Sequence, residues 1–190
     1  AIVAAAQVMS ARGLSPGRSG NISMRWGGGM LITPTALAYD LMTEDDIVYC
    51  APGGEAATSR REPSSEWRFH AAVYESRSDR HAVVHTHSMH ATVLACARKP
   101  IPAFHYMVAV AGGHDIPCVA YATFGTEELA RNVAGGLAHR EACLMSNHGQ
   151  IAIGTTLSAA LDLAFEVEVL AEQYIKVLNL AAVHLLSGDE

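Results

Sequence analysis

The chain has 190 residues, half of them hydrophobic, with 19 acidic against 13 basic side chains and a formal net charge of −6. That length can bury one substantial core but makes two domains a stretch, so residues 1–190 are expected to form one domain. The basic residues are scattered singly except for the pairs Arg60–Arg61 and Arg98–Lys99, which offers no stripe for a nucleic-acid backbone and argues against nucleic acid as a partner.

The apolar start "AIVAAAQVMSARGL" lacks a basic leader and the length of a membrane span, and Gly13 stands where a helix C-cap belongs. No membrane association is expected. Cys50, Cys96, Cys118 and Cys143 are far apart and form no C-x-x-C pair, which reads as buried thiols of a reducing compartment. The expectation is a soluble, cytoplasmic protein.

After the first helix, "SPGRSGNISMR" is a turn running into alternating residues and "GGGMLITP" a glycine turn with a short apolar run, together a hairpin. "DIVYCA" reads as a third strand and "GGEAATSRREP" as a polar loop. In "SSEWRFHAAVYESR", Trp67, His70, Val73, Tyr74 and Arg77 recur at helical spacing, with Ser64 as N-cap after Pro63. A β-branched run "HAVVHTH" follows, then a helix from about Ser88 to Arg98 and a long Gly- and Pro-rich loop to Phe124. Thr126, with Glu127 and Glu128 behind it, opens another helix. "EACLMSN" and "GQIAIG" form a strand pair, and a last helix runs from Ser158 to roughly Leu186. Hairpins first and helices interleaved later predict a mixed sheet covered by helices.

Four histidines fall within "HAVVHTHSMH". In a strand, residues two apart share a face, so His85 and His87 present their imidazoles side by side; in a helix they diverge by about 200°. His81 shares their parity but lies about 13 Å from His85 at the usual rise per residue, a poor third ligand. His90 belongs to the following helix. A catalytic zinc takes three protein ligands and keeps a fourth position open. The best third candidate is His148, in the turn "SNHG" between two apolar runs, where Gly149 lets the backbone bend closely. A turn histidine between strands is also a common surface residue.

"EPSSEWRFH" places Ser64 and Ser65 at the amide end of a helix, where N–H groups and the positive dipole end attract a phosphate; the plainer alternative is a capping box. Glu66 in that first turn would put a carboxylate, able to ligate metal or move protons, within a few ångströms of such a phosphate. The turns "SGNIS" and "TPTAL" are candidates to complete the pocket through their backbone amides. Lys99 and Lys176 are the only lysines and neither adjoins these motifs, which disfavours a Schiff-base mechanism.

Taken in order, "SGNIS", "GMLITPTAL", "PSSEWRFHAAVYESR", "AVVHTHSMHAT", "IPAFHYMVAVAGGHDIPC", "YATFGTEEL", "NHGQIAIG" and "ALDLAFEVEVLAEQY" resemble the class II aldolase and adducin superfamily over nearly the whole chain, and within it the bacterial L-fuculose-1-phosphate aldolase branch. The resemblance implies an α/β, three-layer domain with a central mixed, mainly antiparallel sheet. It implies one Zn²⁺ per subunit held by His85, His87 and His148, with Glu66 as displaceable ligand and general acid/base. Tyr106 matches a tyrosine that transfers a proton at the aldehyde oxygen. Asn21, Thr35, Ala36, Ser64 and Ser65 match phosphate-binding positions, and Phe124 an aromatic wall.

The implied reaction is reversible cleavage of a ketose 1-phosphate, L-fuculose 1-phosphate or similar, to dihydroxyacetone phosphate and an aldehyde such as L-lactaldehyde. Zinc would act as the Lewis acid. A homotetramer with sites at subunit interfaces is implied, so that Tyr106 serves a neighbour's site. Related aldolases acting on 5-deoxyribulose or methylthioribulose 1-phosphate, a 4-epimerase, a dehydratase, a decarboxylase and a non-catalytic adducin-like module share the fold. Two departures stand out. Ala36 replaces a glycine common in the family, which keeps the N–H donor provided the site does not demand a positive φ. The sequence also stops at "LLSGDE", ahead of the family's C-terminal tail.

Overall fold

The computed structural model describes residues 1–52, 60–180 and 182–187. Its elements in chain order are α1 (Ile2–Ala11), β1 (Asn21–Trp26), β2 (Gly29–Ile32), β3 (Val48–Cys50), α2 (Trp67–Ser76), β4 (Ala82–Thr86), α3 (Met89–Cys96), β5 (Ile101–Pro102), β6 (Asp115–Ile116), β7 (Cys118–Val119), α4 (Glu127–Gly136), β8 (Ala142–Met145), β9 (Gly149–Gly154) and α5 (Leu157–Leu180). Short 3₁₀ turns intervene, among them Tyr106–Ala111.

Seven strands form one sheet in the order β3-β2-β1-β4-β9-β8-β7. Only β7 and β8 run parallel; every other neighbouring pair is antiparallel. Both faces are covered, and the period of two sorts the side chains between them. Ala82, Val84, Leu144 and Ala152 join the core under α1, α3 and α5. Val83, Met145, Ile151 and Ile153 join the core under α2 and α4. The expected three-layer arrangement with a mixed, mostly antiparallel sheet is what the chain adopts.

The helices are seated by the residues that their spacing exposes to the sheet. Ile2, Ala5, Ala6 and Met9 bury one stripe of α1, and Gly13 follows it at φ +75°, a conformation glycine takes without strain. Thr126 caps α4 as expected, its hydroxyl accepting from the Leu129 amide. Among the described residues no helix is long and apolar enough to cross a membrane.

Three expectations need correction. The last helix ends at Leu180, not near Leu186. Ser64 is not the N-cap of α2: that position falls on Glu66, and Ser64 Oγ accepts from the Glu66 amide at 3.3 Å. The loop before Phe124 contains β5, β6 and β7, strands of two residues that show no period in sequence. The polar loop "GGEAATSRREP" lies in part, at residues 53–59, outside the described residues.

Candidate metal centre and anion cleft

The site forms where β1, β4 and β9 run side by side beneath the start of α2. Antiparallel register pairs Asn21 of β1 with His85 of β4, and His85 with Ile151 of β9. His87 lies just beyond β4, and His148 just ahead of β9. Gly149 is needed for contact, since a Cβ there would meet the Thr86 carbonyl at 2.4 Å. The positive φ of that turn falls on Asn147, at +56°.

One ligand atom each from Glu66, His85, His87 and His148 fits within a group whose members all lie within 4.8 Å of one another. The three imidazoles stand edge to face, with centroids 4.8 to 4.9 Å apart. His81 is exposed, and His90 pairs with Glu168 at 2.8 Å. Neither belongs to the group.

The donor chemistry fits a divalent metal. His85 Nδ1 donates to the Gln150 carbonyl at 2.8 Å, leaving Nε2 as a lone-pair atom facing the cluster. That atom is 3.0 Å from His87 Nε2 and 3.2 Å from Glu66 Oε2. Burial, reinforced by the neighbouring His85 and His148 imidazoles, pushes the pKa of His87 down to about 3 and keeps it a neutral ligand. Glu66 Oε1 approaches His148 Nε2 to 2.9 Å at an angle unsuited to a hydrogen bond, so this buried oxygen has no hydrogen bond. With its proton on Nδ1, His85 turns a lone pair toward the carboxylate oxygen of Glu66, acceptor against acceptor, a contact that a cation between them resolves. A tetrahedral ion with metal–nitrogen bonds of about 2.0–2.1 Å spaces its ligand atoms by roughly 3.3 Å, near the 2.9 to 3.2 Å contacts above and within the 4.8 Å span of the group.

Glu66 is held as the ionised form. Its burial opposes charge, but the His85 and His148 imidazoles outweigh that and keep the carboxyl well below the usual carboxylate range. Asn21 Nδ2 donates to its Oε2 at 2.9 Å.

A cavity of 330 Å³ opens onto Glu66, His87 and His148, and its lining also includes Asn21, Thr35, Ala36, Ser64, Ser65 and Phe124. Two reciprocal bonds, Ser64 N–H to the Thr33 carbonyl and Thr35 N–H to the Glu62 carbonyl, tie the loops together and bring Thr35 beside Ser64. Those bonds occupy the Ser64 and Thr35 amides, so an anion cradle built on all the backbone amides of this wall is not formed. The hydroxyls remain as donors. Ala36 has φ +58°, so the local backbone does demand the left-handed conformation, and alanine keeps its N–H at a strain of about 1–2 kcal/mol.

Two lining residues were not read from the sequence. Arg18 is the only cationic side chain among the described lining residues, and its Nη1 donates to the Ala36 carbonyl at 2.8 Å. Tyr121 is the other. An arginine within a Gly- and Pro-rich turn has no periodicity to point it inward; its place next to "SGN" was the sole signal. Tyr106 lies outside the cavity, 70% exposed and stacked on His105 with ring centroids 4.7 Å apart.

Behind Asn21, His70 is fully buried, and desolvation is the main cause of a pKa lowered to about 3 from an ordinary 6.5. Between those values the unfolded chain binds a proton that the fold refuses, so stability is full above about pH 6.5 and falls toward pH 3. The slope is about 1.4 kcal/mol per pH unit for one such group. Urea unfolding of metal-free protein between pH 7 and 4 should show a shallower pH dependence for His70→Gln than for the wild type. Equal slopes would remove His70 as the source.

Residues 1–175 match the family described as Class II Aldolase and Adducin N-terminal domain. The chain is 51% identical over 189 residues to the 5-methylthioribulose-1-phosphate/5-deoxyribulose-1-phosphate aldolase of Rhodospirillum rubrum, covering 100% of this chain and 85% of that protein. It is 49% identical over 183 residues to the L-fuculose phosphate aldolase of Escherichia coli strain K12, covering 96% and 85% respectively. A solved L-fuculose 1-phosphate aldolase superposes with a TM-score of 0.95 at 37% identity, over 99% of this chain and 89% of the other.

Proposed function

The chain belongs to the class II aldolase and adducin family, and from that premise we propose that it is a metal-dependent aldolase cleaving a ketose 1-phosphate reversibly to dihydroxyacetone phosphate and a short aldehyde. The observation that carries this reading is the four-donor group of Glu66, His85, His87 and His148 opening onto a hydroxyl-lined cleft. A non-catalytic adducin-like module has no use for that set.

Zinc suits three imidazoles and a carboxylate with room for substrate. When bound, the ion supplies Lewis-acid charge at the ketone and its adjacent hydroxyl. The chain's own residues do the rest. Ser64, Ser65, Thr35, Asn21 and Ala36 hold the phosphate, with Arg18 contributing positive charge at the rim. Glu66 moves the proton at the carbon of the dihydroxyacetone half, through the oxygen that has no hydrogen bond. Tyr106 takes the proton from the hydroxyl that becomes the aldehyde, and its exposure outside the cavity favours action on a second copy's site within a homotetramer. Phe124, exposed at the cavity, forms the wall for the aldehyde half. We read residues 1–190 as one domain of a cytoplasmic enzyme, a reading supported by four free thiols.

The two relatives differ in the aldehyde half of their named substrates, so two substrate readings stand: L-fuculose 1-phosphate, giving L-lactaldehyde, and 5-deoxyribulose or 5-methylthioribulose 1-phosphate. Ketose 1-phosphates differing only from C4 to C6, assayed for dihydroxyacetone phosphate with a coupled dehydrogenase, should reveal one favoured by at least tenfold in kcat/KM, about 1.4 kcal/mol of discrimination. Release from none of them would favour an epimerase or decarboxylase instead.

A further inference from the structure

Behind the metal centre a row of buried polar side chains runs back from Glu66 and Asn21 through His70, Ser23 and Tyr74, the last three of which the proposed chemistry does not use. Tyr74 OH lies 2.8 Å from Ser23 Oγ, Ser23 Oγ 2.7 Å from His70 Nδ1, and His70 Nε2 2.6 Å from Asn21 Oδ1. Asn21 then reaches Glu66 Oε2. None of the five residues is more than 7% exposed.

The row follows from two matched periodicities. From the N-cap Glu66 into α2, positions 66, 70 and 74 follow at steps of four, so that His70 and Tyr74 continue one face of the helix below the cap at a rise of about 6 Å per step. Asn21 and Ser23 alternate on one face of β1, a rise of about 6.7 Å. Helix stripe and strand face therefore interleave as a polar seam beside the apolar core of Phe69 and Val73.

The direction of every hydrogen bond in the seam is dictated from one end. A carboxylate only accepts, so Asn21 must turn its NH₂ to Glu66 and its oxygen to His70. That oxygen accepts, so Nε2 of His70 carries the proton. The neutral ring then has its lone pair at Nδ1, which Ser23 must fill by donating, and Ser23 in turn accepts from Tyr74. Chains of this kind polarise one another.

We propose that His70, Ser23 and Tyr74 are positioning residues which, acting through Asn21, fix one oxygen of Glu66 and leave the other for the metal and the proton. This rests on the reading of Glu66 as ligand and acid/base. Without Ser23, the His70 ring is free to move its proton to Nδ1, and Asn21 can then flip to set its oxygen against the carboxylate.

The test uses full-length protein and three readouts. Nitrogen-15 NMR of histidine-labelled wild type should show His70 as the neutral Nε2–H tautomer. In Ser23→Ala that tautomer should give way to a mixture, the affinity for Zn²⁺ measured with a competing chelator should weaken about tenfold, and kcat should fall about tenfold with KM changed less than twofold. Tyr74→Phe, which removes only the outermost hydroxyl, should move the same readouts by less. An Nδ1–H tautomer in the wild type overturns the proposal, as does a Ser23→Ala protein with lowered melting temperature but unchanged zinc affinity and kcat. Should no ketose phosphate prove to be a substrate, the tautomer and zinc affinity still decide the role of the seam.

Discussion

His87→Ala should empty the metal centre: after chelation and reloading with Zn²⁺, the variant should retain less than about a tenth of the metal held by the wild type, and cleavage should be undetectable. His87 is the informative position because it can be truncated without disturbing the core. His85 is fully buried, packs edge-on against Phe69 with centroids 5.3 Å apart, and anchors on the Gln150 carbonyl, so its loss would open a cavity as well as remove a ligand. His87 lies past the end of β4, is partly exposed and contributes chiefly its Nε2 atom. Elemental analysis and a melting curve on the same sample separate metal loss from unfolding. Full activity in this variant after exhaustive chelation would sink the metal mechanism.

The chemistry was legible in the sequence wherever it depended on local period. His85 and His87 converge because residues two apart in an extended chain share a face, whereas His81, of the same parity, is separated from them by the rise along the strand. His148 was a weaker reading, resting on resemblance. Its arrival depends on the register that sets Thr86 opposite Gln150, a pairing between segments 64 residues apart that no local spacing encodes. Resemblance also carried Asn21 as a phosphate position. The structure gives its amide a second role, because His70 and Glu66 grip it from either side. Ala36 shows the opposite case: the sequence left open whether this position demands a positive φ, and beside the tie between the Thr35 and Ser64 loops it takes φ +58°. Tertiary constraint overrode local preference there, as it did at Ser64, where the helix starts later than its apparent cap.

Glu66→Gln separates holding the metal from moving the proton. Glutamine preserves shape, and its carbonyl oxygen can still accept from Asn21, so the fold and the seam should survive. Three imidazoles remain, enough for a tetrahedral ion with one open position, and the variant should keep a measurable share of its zinc. What glutamine lacks is a carboxylate oxygen that can take up and return a proton during the reaction. Turnover should fall by roughly two to four orders of magnitude, the loss expected for an acid/base group, with KM little changed because the phosphate contacts are intact. A wild-type rate would mean that the proton passes elsewhere and that Glu66 serves only as a ligand. Set beside His87→Ala, the pattern is diagnostic. One variant should lose metal and activity together, whereas the other should retain metal and lose activity, a difference that a purely structural role for this cluster does not produce.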